Sequence, residues 1–403
     1  MRILLVDDEP QVLRGITRMI RAEQDDWDIR TATSGTEALE LLDVSAFNVI
    51  VSDMSMPVMD GAELLDIVER RSPATMRIIL SGQADRESIL RAVKPVHQYL
   101  AKPCDPNILI STIRGIESYQ SAITSPEVLE AAGNYHDFWT PPSIREAIEK
   151  ELAAEPSSTK SLANAISHDP ILTGKVLQLA NSSIFGPKTP IVSMEQSLSL
   201  IGVDMLQTMV TPIPAPSQTP AFDTAATAEI FEHGISVAKT ARQIAESESD
   251  DQKLIDTVFS AALLQDIGKI ILSHSFPKRY QSILDQAASD GTPSCEAEQL
   301  EFGASHPQLG AYLLELWGLP KELSETVANH HDAECCQEAG QVSQIVFAAR
   351  FITEQKTNSQ ANPETSQLPT KLDQLIGRWK SRPTEEAKHA VHETQNSTPA
   401  FHA

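Results

Sequence analysis

The sequence has no long apolar run and no cluster of basic residues. No apolar stretch approaches the roughly 20 residues that a membrane-spanning helix needs. The 403 residues include 55 acidic but only 32 basic ones, which gives a formal net charge of -23. A surface this acidic repels phosphate backbones and anionic lipids, so we expect neither a nucleic acid nor a membrane as a partner. The opening MRILLVDDEP is not a signal peptide, and we expect a soluble, cytoplasmic protein.

Cysteine is also scarce. The four cysteines are Cys104, Cys295 and the adjacent pair Cys335 and Cys336, and none of them forms a CxxC motif. This usage predicts reduced thiols and not a redox or zinc-binding framework. Apolar residues, in contrast, make up 41% of the chain, which is enough to build the cores of two or three domains in 403 residues.

Short apolar runs alternate with amphipathic stretches over residues 1–123. The apolar runs are Ile3–Val6, Asp28–Thr33, Val49–Val51, Ile78–Leu80 and Tyr99–Leu100. The helical patterns are Pro10–Arg21, Gly35–Leu42, Gly61–Arg70, Arg86–Val93 and a last one over 106–123. This alternation predicts an α/β domain with a five-stranded, doubly wound parallel sheet that helices cover on both faces. Residues that bind or react should then gather at the carboxyl ends of the strands.

Chemically active side chains stand at the ends of these strands. They are Asp7 and Asp8 after the first strand, Asp53 at the third, Ser81 at the fourth and Lys102 at the fifth. Three carboxylates in one pocket repel each other unless a cation lies among them, and carboxylate oxygens suit Mg²⁺. Lys102 adds a fixed positive charge and Ser81 adds a hydroxyl group. The set predicts phosphoryl transfer onto a carboxylate.

In this pattern, residues 1–120 resemble the receiver domain of a bacterial two-component response regulator, whose motifs DD, D, S and KP stand here in order. The resemblance implies that Asp53 is the phosphoacceptor and that a sensor histidine kinase is the partner that phosphorylates it. It also implies a Mg²⁺ cofactor. The ion would be held by Asp8, Asp53 and the carbonyl of Ser55, with Asp7 contacting it through water.

The same resemblance assigns the response to phosphorylation to two further side chains. Ser81 and Tyr99 would be the switch pair, so that phosphorylation alters the surface over residues 85–120. Pro103 is expected to follow a cis peptide bond. Every receiver residue that the chemistry needs is present in the sequence.

The remaining chain changes character. Residues 124–139 contain Pro126 and Gly133, are followed by Pro141 and Pro142, and are expected to form a linker. Residues 140–354 follow a helical pattern nearly throughout, interrupted by the proline-rich loop TPIPAPSQTP at 211–220. Residues 355–403 are polar and predict a largely disordered tail, with a helix around Lys371–Lys380.

The helical region carries long motifs that are typical of one family, among them SLANAISHDPILTGKVLQLANSSIFG, AALLQDIGKIIL and FGASHPQLGAYLLELWGLPKELSETVANHHD. It resembles an HDOD domain, an all-helical output module related to the HD phosphohydrolases. The proline-rich loop departs from a segment that is usually helical in that family. The sequence has no helix-turn-helix pattern with a basic recognition helix, which agrees with the acidic composition.

HD phosphohydrolases hold metal with a histidine, a His-Asp pair and a distant aspartate, and this chain matches the pattern only in part. The corresponding residues are His233, Gln265, Asp266 and Arg350. Glutamine is a poor ligand for zinc or a transition metal compared with imidazole, and Arg350 places a permanent cation where a dication would lie. We therefore expect no transition metal and no hydrolysis in this domain. We expect Asp266 to pair with Arg350 or His233, and Lys269 only to continue the helix.

Three further histidines leave an alternative open. His306, His330 and His331 can hold one metal ion together with Asp266, although we interpret them as polar residues that fill an old pocket through hydrogen bonds. A cyclic-di-GMP phosphodiesterase of the HD-GYP type would need HHE followed closely by GYP. The chain has His330, His331 and Asp332 without a GYP motif.

Three hypotheses about function follow from these patterns. The first is a response regulator without enzymatic output, in which phosphorylation of Asp53 controls how the helical domain binds a protein partner. The second is a metal phosphohydrolase that the receiver gates, and the third is a module that binds a nucleotide without turnover. The signal is expected to pass through altered docking, either between the two domains or between two receivers in a homodimer.

Overall fold

The structure is a computed structural model that describes several stretches of the chain. They are residues 1–24, 26–82, 95–134, 141–154, 158–210, 224–357 and 368–380. The helix expected at 86–93 and the proline-rich loop at 211–220 lie outside the described residues, as does most of the expected tail.

Five parallel strands form one sheet. They are β1 (Arg2–Val6), β2 (Asp28–Ala32), β3 (Val49–Asp53), β4 (Met76–Ser81) and β5 (Gln98–Ala101), in the order β2-β1-β3-β4-β5. Side chains alternate between the two faces of a strand, so Ile3 and Leu5 join one apolar core while Leu4 and Val6 join another. Two such cores require cover on both faces of the sheet, and the architecture confirms the predicted α/β domain.

The helices described around the sheet are α1 (Pro10–Glu23), α2 (Gly35–Val44), α3 (Gly61–Arg71) and α4 (Pro106–Gln120). Capping side chains fix where α2 and α3 begin. Ser34 accepts a hydrogen bond from the N–H of Glu37, and Asp60 accepts one from the N–H of Glu63. Because each of these helices starts just after a strand, its amino end lies at the carboxyl edge of the sheet.

The segment expected to be a linker, 124–139, contains a helix. Helix α5 (Pro126–Gly133) buries the side chains of Val128 and Ala132. In the sequence Pro126 looks like a break, but a proline in the first turn of a helix helps to start it, because its missing N–H would have no partner there in any case. The segment expected to be a linker therefore contains a packed helix at these residues.

The described elements after α5 are all helices, as predicted. They are α6 (Pro142–Leu152), α7 (Thr159–Ile166), α8 (Pro170–Asn181), α9 (Met194–Ile201), α10 (Val203–Val210), α11 (Thr224–Glu248), α12 (Gln252–Leu264), α13 (Ile267–Ser275), α14 (Pro277–Asp290), α15 (Ser294–Phe302), α16 (His306–Leu316), α17 (Lys321–Asn329), α18 (Ala333–Ala339), α19 (Gln341–Thr357) and α20 (Thr370–Lys380). Helix α20 buries Leu372, Leu375 and Ile376 and confirms the helix expected in the tail. In the part of the chain that the structure describes, no helix is both long and apolar enough to cross a membrane.

The sheet and the helical region share one hydrophobic core. The core on the side of Ile3 and Leu5 continues through Ile113 on α4 to Leu313 on α16. The two helices come close together here, since a Cβ on Gly115 of α4 would lie 2.9 Å from a carboxylate oxygen of Glu315 on α16. The receiver half and the helical half therefore pack against each other through α4 and α16.

Candidate functional site

Three strands end in a pocket of charged side chains. Lys102, after β5, places its Nζ 2.7 Å from Asp7 Oδ2 and 2.7 Å from Asp53 Oδ1. The carboxylates of Asp7, Asp8 and Asp53 each have an oxygen within 4.8 Å of the others. Carboxylate oxygens at this spacing fit Mg²⁺, and these three aspartates are the side chains that would hold the ion.

The charges in this pocket offset one another. Burial raises the pKa of Asp53, while the hydrogen bond and the charge of Lys102 act in the opposite direction. Burial alone would lower the pKa of Lys102, but its hydrogen bonds to Asp53 and Asp7 raise it, so the lysine stays protonated. The N–H of Ser55 also donates a hydrogen bond to Asp53. Gly61 lies directly behind, where a Cβ would be 2.1 Å from the carbonyl oxygen of Asp53.

The expected switch residues lie on neighbouring strands beside the pocket. Ser81 ends β4 and is buried, and its carbonyl accepts a hydrogen bond from the N–H of Lys102. Tyr99 is also buried and lies opposite Ile79 in the register of β4 and β5. The peptide bond between Lys102 and Pro103 is cis, which confirms that expectation.

Strand β5 contacts the helical region as well as the pocket. The side-chain amide of Gln178 on α8 donates hydrogen bonds to the carbonyl of His97 at 2.6 Å and to that of Val96 at 3.2 Å. The N–H of Ser183 donates to the carbonyl of Tyr99 at 3.3 Å. The segment that leads into Lys102 therefore presents backbone acceptors to the helical region.

The end of α16 packs against the same strand. The side chain of Gln98 donates a hydrogen bond to the carbonyl of Glu315 at 2.7 Å. Gly318 follows the helix with a φ of 65°, and a Cβ there would lie 3.0 Å from the Gln98 side chain. Both the backbone conformation and the close approach favour glycine at this position.

A buried basic cluster lies beneath this contact. The guanidinium of Arg77 on β4 donates to the carbonyls of Pro95 at 2.6 Å and Gly133 at 2.9 Å. The ring of His97 accepts the backbone N–H of Arg77 at 3.0 Å. Burial, together with the charges of Arg77 and Lys175, holds the pKa of His97 well below its usual range. Burial likewise holds the pKa of Lys175 well below its usual range.

A second cluster of titratable residues surrounds Asp266, which is buried between α12 and α13. Its Oδ2 lies 3.7 Å from His233 Nε2 and 3.3 Å from Gln265 Nε2. This oxygen therefore faces two of the residues that stand at the HD ligand positions. Its Oδ1 forms an ion pair with Lys269 Nζ at 2.8 Å. Burial alone would raise the pKa of Asp266, but Lys269 beside it lowers that pKa well below its usual range.

Of the two expected partners of Asp266, His233 lies 3.7 Å from its carboxylate, and Lys269 forms a shorter ion pair at 2.8 Å that was not expected. Arg350 is buried, donates its Nε to the carbonyl of His330 at 3.1 Å and pairs with the carboxylate of Glu354 at 2.9 Å. The expectation that Lys269 only continues the helix is wrong. Its position three residues after Asp266 on a helical stretch was the sequence signal that could have revealed the pair.

Three histidines face the other carboxylate oxygen. His306 Nε2 lies 3.4 Å and His330 Nε2 lies 3.7 Å from Asp266 Oδ1. His306 Nε2 and His331 Nε2 are 3.1 Å apart. The four potential ligand atoms all lie within 4.8 Å of one another. Residues separated by more than 60 positions in the chain, Asp266 and His331 among them, therefore meet at one point.

Other side chains fix how these rings are oriented. Glu298 Oε2 lies 2.7 Å from His306 Nδ1 and 2.7 Å from the backbone N of His306. The hydroxyl of Tyr280 donates to the other oxygen of Glu298 at 3.0 Å. His330 Nδ1 lies 2.7 Å from the carbonyl oxygen of Val327. Glu298 is a part of this site that the sequence did not reveal.

Burial favours the neutral form of three rings in this cluster, those of His233, His306 and His331. Burial lowers the pKa of His306 to about 4. Burial and the neighbouring His330 hold the pKa of His331 well below its usual range, and burial lowers the pKa of His233. Neutral imidazole is the form in which histidine binds metals.

Helix α13 approaches α16 very closely at this site. A Cβ on Gly268 would lie 2.1 Å from the carbonyl oxygen of His306. The glycine that follows the altered His-Asp pair is therefore needed to bring His306 to Asp266. The sequence pattern did not assign it this role.

Comparisons with known proteins agree with this division of the chain. Residues 3–114 match the response regulator receiver domain family, and residues 139–333 match the HDOD domain family. The parallel sheet with its charged pocket and the first match define the class of the protein, a two-component response regulator. More particularly, it is a response regulator in which a receiver domain is followed by an HDOD domain.

Individual relatives are similar to parts of the chain. The hydrogenase transcriptional regulatory protein HoxA of Cupriavidus necator is 36% identical over 114 residues, which cover 28% of this chain and 23% of HoxA. The uncharacterized transcriptional regulatory protein YhcZ of Bacillus subtilis is 31% identical over 141 residues, 34% of this chain and 65% of YhcZ. Both matches span less than two thirds of the relative. The solved MmoQ response regulator of Methylococcus capsulatus, 22% identical, covers 59% of this chain and 97% of its own, with a TM-score of 0.46.

Proposed function

We propose that this protein is a phosphorylation-dependent response regulator whose HDOD domain binds a protein partner and hydrolyses no substrate. A sensor histidine kinase supplies the phosphoryl group, and Asp53 accepts it. The observation that carries the proposal is the double role of β5. This strand leads into Lys102, which contacts Asp53. The carbonyls of Tyr99 in the strand and of Val96 and His97 just before it accept hydrogen bonds from the helical region.

Each residue of the acidic pocket has a distinct role in the proposal. A carboxylate oxygen of Asp53 attacks the phosphorus, and the bond from phosphorus to the donor breaks as the acyl phosphate forms. Lys102, 2.7 Å from Asp53 Oδ1, stabilises the charge on the phosphoryl oxygens. Asp7 and Asp8 would hold Mg²⁺ together with Asp53, and the bound ion neutralises phosphate charge. The hydroxyl of Ser81 donates to the phosphoryl group once it is attached.

The surroundings of Asp266 support an HDOD domain without hydrolysis. Gln265 offers only an amide where an HD enzyme has an imidazole ligand. Lys269 pairs with Asp266 directly, and the buried guanidinium of Arg350 lies next to His330. Two protein cations thus lie in a region where a hydrolase binds metal ions and an activated water.

The route from phosphate to output runs through β4 and β5. Phosphorylation replaces the single negative charge of the Asp53 carboxylate with the roughly 1.5 to 2 charges of a phosphoryl group, which draws in the hydroxyl of Ser81. That movement opens space toward Tyr99, whose carbonyl accepts a hydrogen bond from Ser183. We expect the contacts of β5 with α8 and α16 to loosen as a result. The surfaces of α8 and α16 that β5 covers then become available to a protein partner.

The assignment of the phosphoacceptor is tested by labelling the full chain with a small acyl phosphate, with and without Mg²⁺. We expect Mg²⁺-dependent label on the wild type and none on Asp53→Ala, because Asp7, the other carboxylate that contacts Lys102, is completely buried. Asp66→Ala, on the exposed side of α3, is the matched control and should label like the wild type. Label on Asp53→Ala at the wild-type level would refute the proposal.

A further inference from the structure

The ring of His330 carries a buried acceptor that the protein leaves unused. His330 is fully buried, and its Nδ1 lies 2.7 Å from the carbonyl oxygen of Val327, an atom that can only accept. This contact requires a proton on Nδ1, so the neutral form of the ring carries a lone pair on Nε2. Among the described residues this Nε2 has no hydrogen-bond partner. A buried polar atom of this kind normally has a partner.

The same reasoning applies to His306. Its Nδ1 lies 2.7 Å from Glu298 Oε2, so the proton is on Nδ1 and Nε2 carries the lone pair. That lone pair faces His331 Nε2 at 3.1 Å and Asp266 Oδ1 at 3.4 Å. A carboxylate or carbonyl that holds the far nitrogen of a histidine is the arrangement that orients metal-binding imidazoles. Glu298 and the Val327 carbonyl provide it for two rings.

The spacing of the four inward-facing atoms matches a tetrahedral zinc shell. With Zn–N distances of about 2.0–2.1 Å, the ligand atoms of such a shell are about 3.3 Å apart. The distances are 3.1 Å for His306 to His331, 3.4 Å for His306 to Asp266 and 3.7 Å for His330 to Asp266. The remaining pairs are also within 4.8 Å. Small side-chain movements are enough to close the shell.

We infer that the HDOD domain holds one divalent metal ion of the zinc type through four ligands, Nε2 of His306, His330 and His331 and Oδ1 of Asp266. This ligand set shares only Asp266 with the quartet of His233, Gln265, Asp266 and Arg350, on which the expectation of no transition metal rested. Four protein ligands leave no open position for an activated water, so the site is structural and agrees with an output domain that does not hydrolyse.

Lys269 is the group that the metal displaces. Its Nζ lies 2.8 Å from Asp266 Oδ1, the proposed ligand atom, and its side chain is 21% exposed. A long lysine side chain at the edge of a site can turn its ammonium group toward water while its aliphatic part stays packed. Lys269 therefore competes with the metal for the same oxygen and lowers the affinity of the site.

The site joins helices that are distant in the chain. Asp266 precedes α13, His306 starts α16, and His330 and His331 follow α17. The far end of α16 carries the carbonyl of Glu315 that binds β5. A metal at this point would fix the amino end of the helix on which the receiver docks.

The test uses untagged full-length protein, stripped of metal with a chelator and titrated with Zn²⁺ against a chromophoric competitor. We expect one Zn²⁺ per chain and, with Co²⁺ as a probe, the intense visible absorption of a tetrahedral site. His331→Gln should weaken Zn²⁺ binding at least tenfold, and Glu298→Gln by about 10- to 100-fold. Lys269→Met should tighten binding. His168→Gln, a histidine outside the cluster, is the matched control and should bind like the wild type.

Several outcomes overturn the inference. The first is that the wild type takes up no Zn²⁺, and the second is that His331→Gln binds Zn²⁺ as tightly as the wild type. The third is that bound Co²⁺ shows only the weak visible absorption of an octahedral site. Turnover of cyclic-di-GMP by the Zn²⁺-loaded protein would show an open coordination position and would also overturn it. If a ligand variant loses its circular dichroism signal and is therefore unfolded, the Lys269→Met variant provides the test, because it keeps all four ligands. An unchanged affinity of Lys269→Met for Zn²⁺ would contradict the proposed competition between Lys269 and the metal. Labelling of Asp53 is independent of these results.

Discussion

At the scale of single residues, Arg77 shows how the receiver is held against its neighbours. Its buried guanidinium donates to the carbonyls of Pro73, Pro95 and Gly133, which belong to three separate segments. A buried carbonyl that loses its donor costs about 1–3 kcal/mol. The single side chain therefore ties β4, the approach to β5 and the end of α5 together.

His97, in contact with Arg77, should make stability depend on pH. Its pKa in the folded protein is well below the value of about 6.5 in an unfolded chain, because of burial and the nearby charges of Arg77 and Lys175. Below about pH 6.5 the unfolded chain binds a proton that the folded chain does not. The free energy of unfolding therefore falls as the pH falls, by up to about 1.4 kcal/mol per pH unit from this residue.

This pH dependence is measured by urea unfolding of the wild type and His97→Gln between pH 7.5 and pH 5, roughly one unit above and below the titration of an ordinary histidine. The glutamine can still accept the N–H of Arg77 but cannot titrate. We expect its curve to lose less stability in acid than the wild type does. His168→Gln should keep the wild-type slope, and parallel curves for wild type and His97→Gln would contradict the assignment.

At the scale of elements, the contact of α8 with β5 depends on one side chain that bonds backbone atoms. The side-chain amide of Gln178 donates to the carbonyls of Val96 and His97, which lie just before β5. Its side-chain oxygen accepts a hydrogen bond from Lys175 Nζ at 2.9 Å. Backbone acceptors of an edge strand are open to any donor. Helix α8 therefore covers an edge that would otherwise be exposed when the receiver is alone.

Replacing Gln178 should loosen this contact without affecting the pocket. In Gln178→Ala the loss of each hydrogen bond is expected to cost about 1 kcal/mol. Hydrogen exchange should then become faster at residues 96–101 and 182–184, while labelling of Asp53 stays at the wild-type level. Gln281→Ala, on the exposed side of α14, is the control. Exchange at 96–101 equal to that of the control would show that Gln178 does not hold the strand.

At the scale of the whole molecule, the receiver and the HDOD domain form one packed unit. The core on one side of the sheet continues into the helical region, and hydrogen bonds from Gln178, Ser183 and Gln98 cross the boundary. A difference of a few kcal/mol between docked and released arrangements is enough for a ligand to shift their populations by orders of magnitude.

Beryllofluoride with Mg²⁺, a mimic of the phosphoryl group, should release this docking. We expect the radius of gyration of the full chain, measured by small-angle scattering, to increase at constant mass. Asp53→Ala should show no change, because it cannot hold the mimic. A doubled mass would favour the alternative in which two receivers dimerise, and an unchanged radius with unchanged mass would contradict both.

The sequence determined much of this protein by itself. Short apolar runs identify β1 and β3, and the alternation of strands with helices predicts a parallel sheet. In a parallel sheet the carboxyl ends of the strands meet at one edge. The positions of Asp7, Asp53 and Lys102 at strand ends therefore predict the contacts that the structure shows. The altered positions Gln265 and Arg350 are visible in the sequence as well, because the resemblance to HD phosphohydrolases implies a histidine and an aspartate there.

Only the tertiary structure decided which distant groups meet. The pairing of Lys269 with Asp266, the support of His306 by Glu298 and the convergence of three histidines depend on how α12 to α17 cross. Local periodicity tells which face of a helix is buried but not which helix covers it. The docking of β5 on α8 and α16 was undetermined for the same reason, since backbone carbonyls are alike in every sequence and their partners are chosen only by packing.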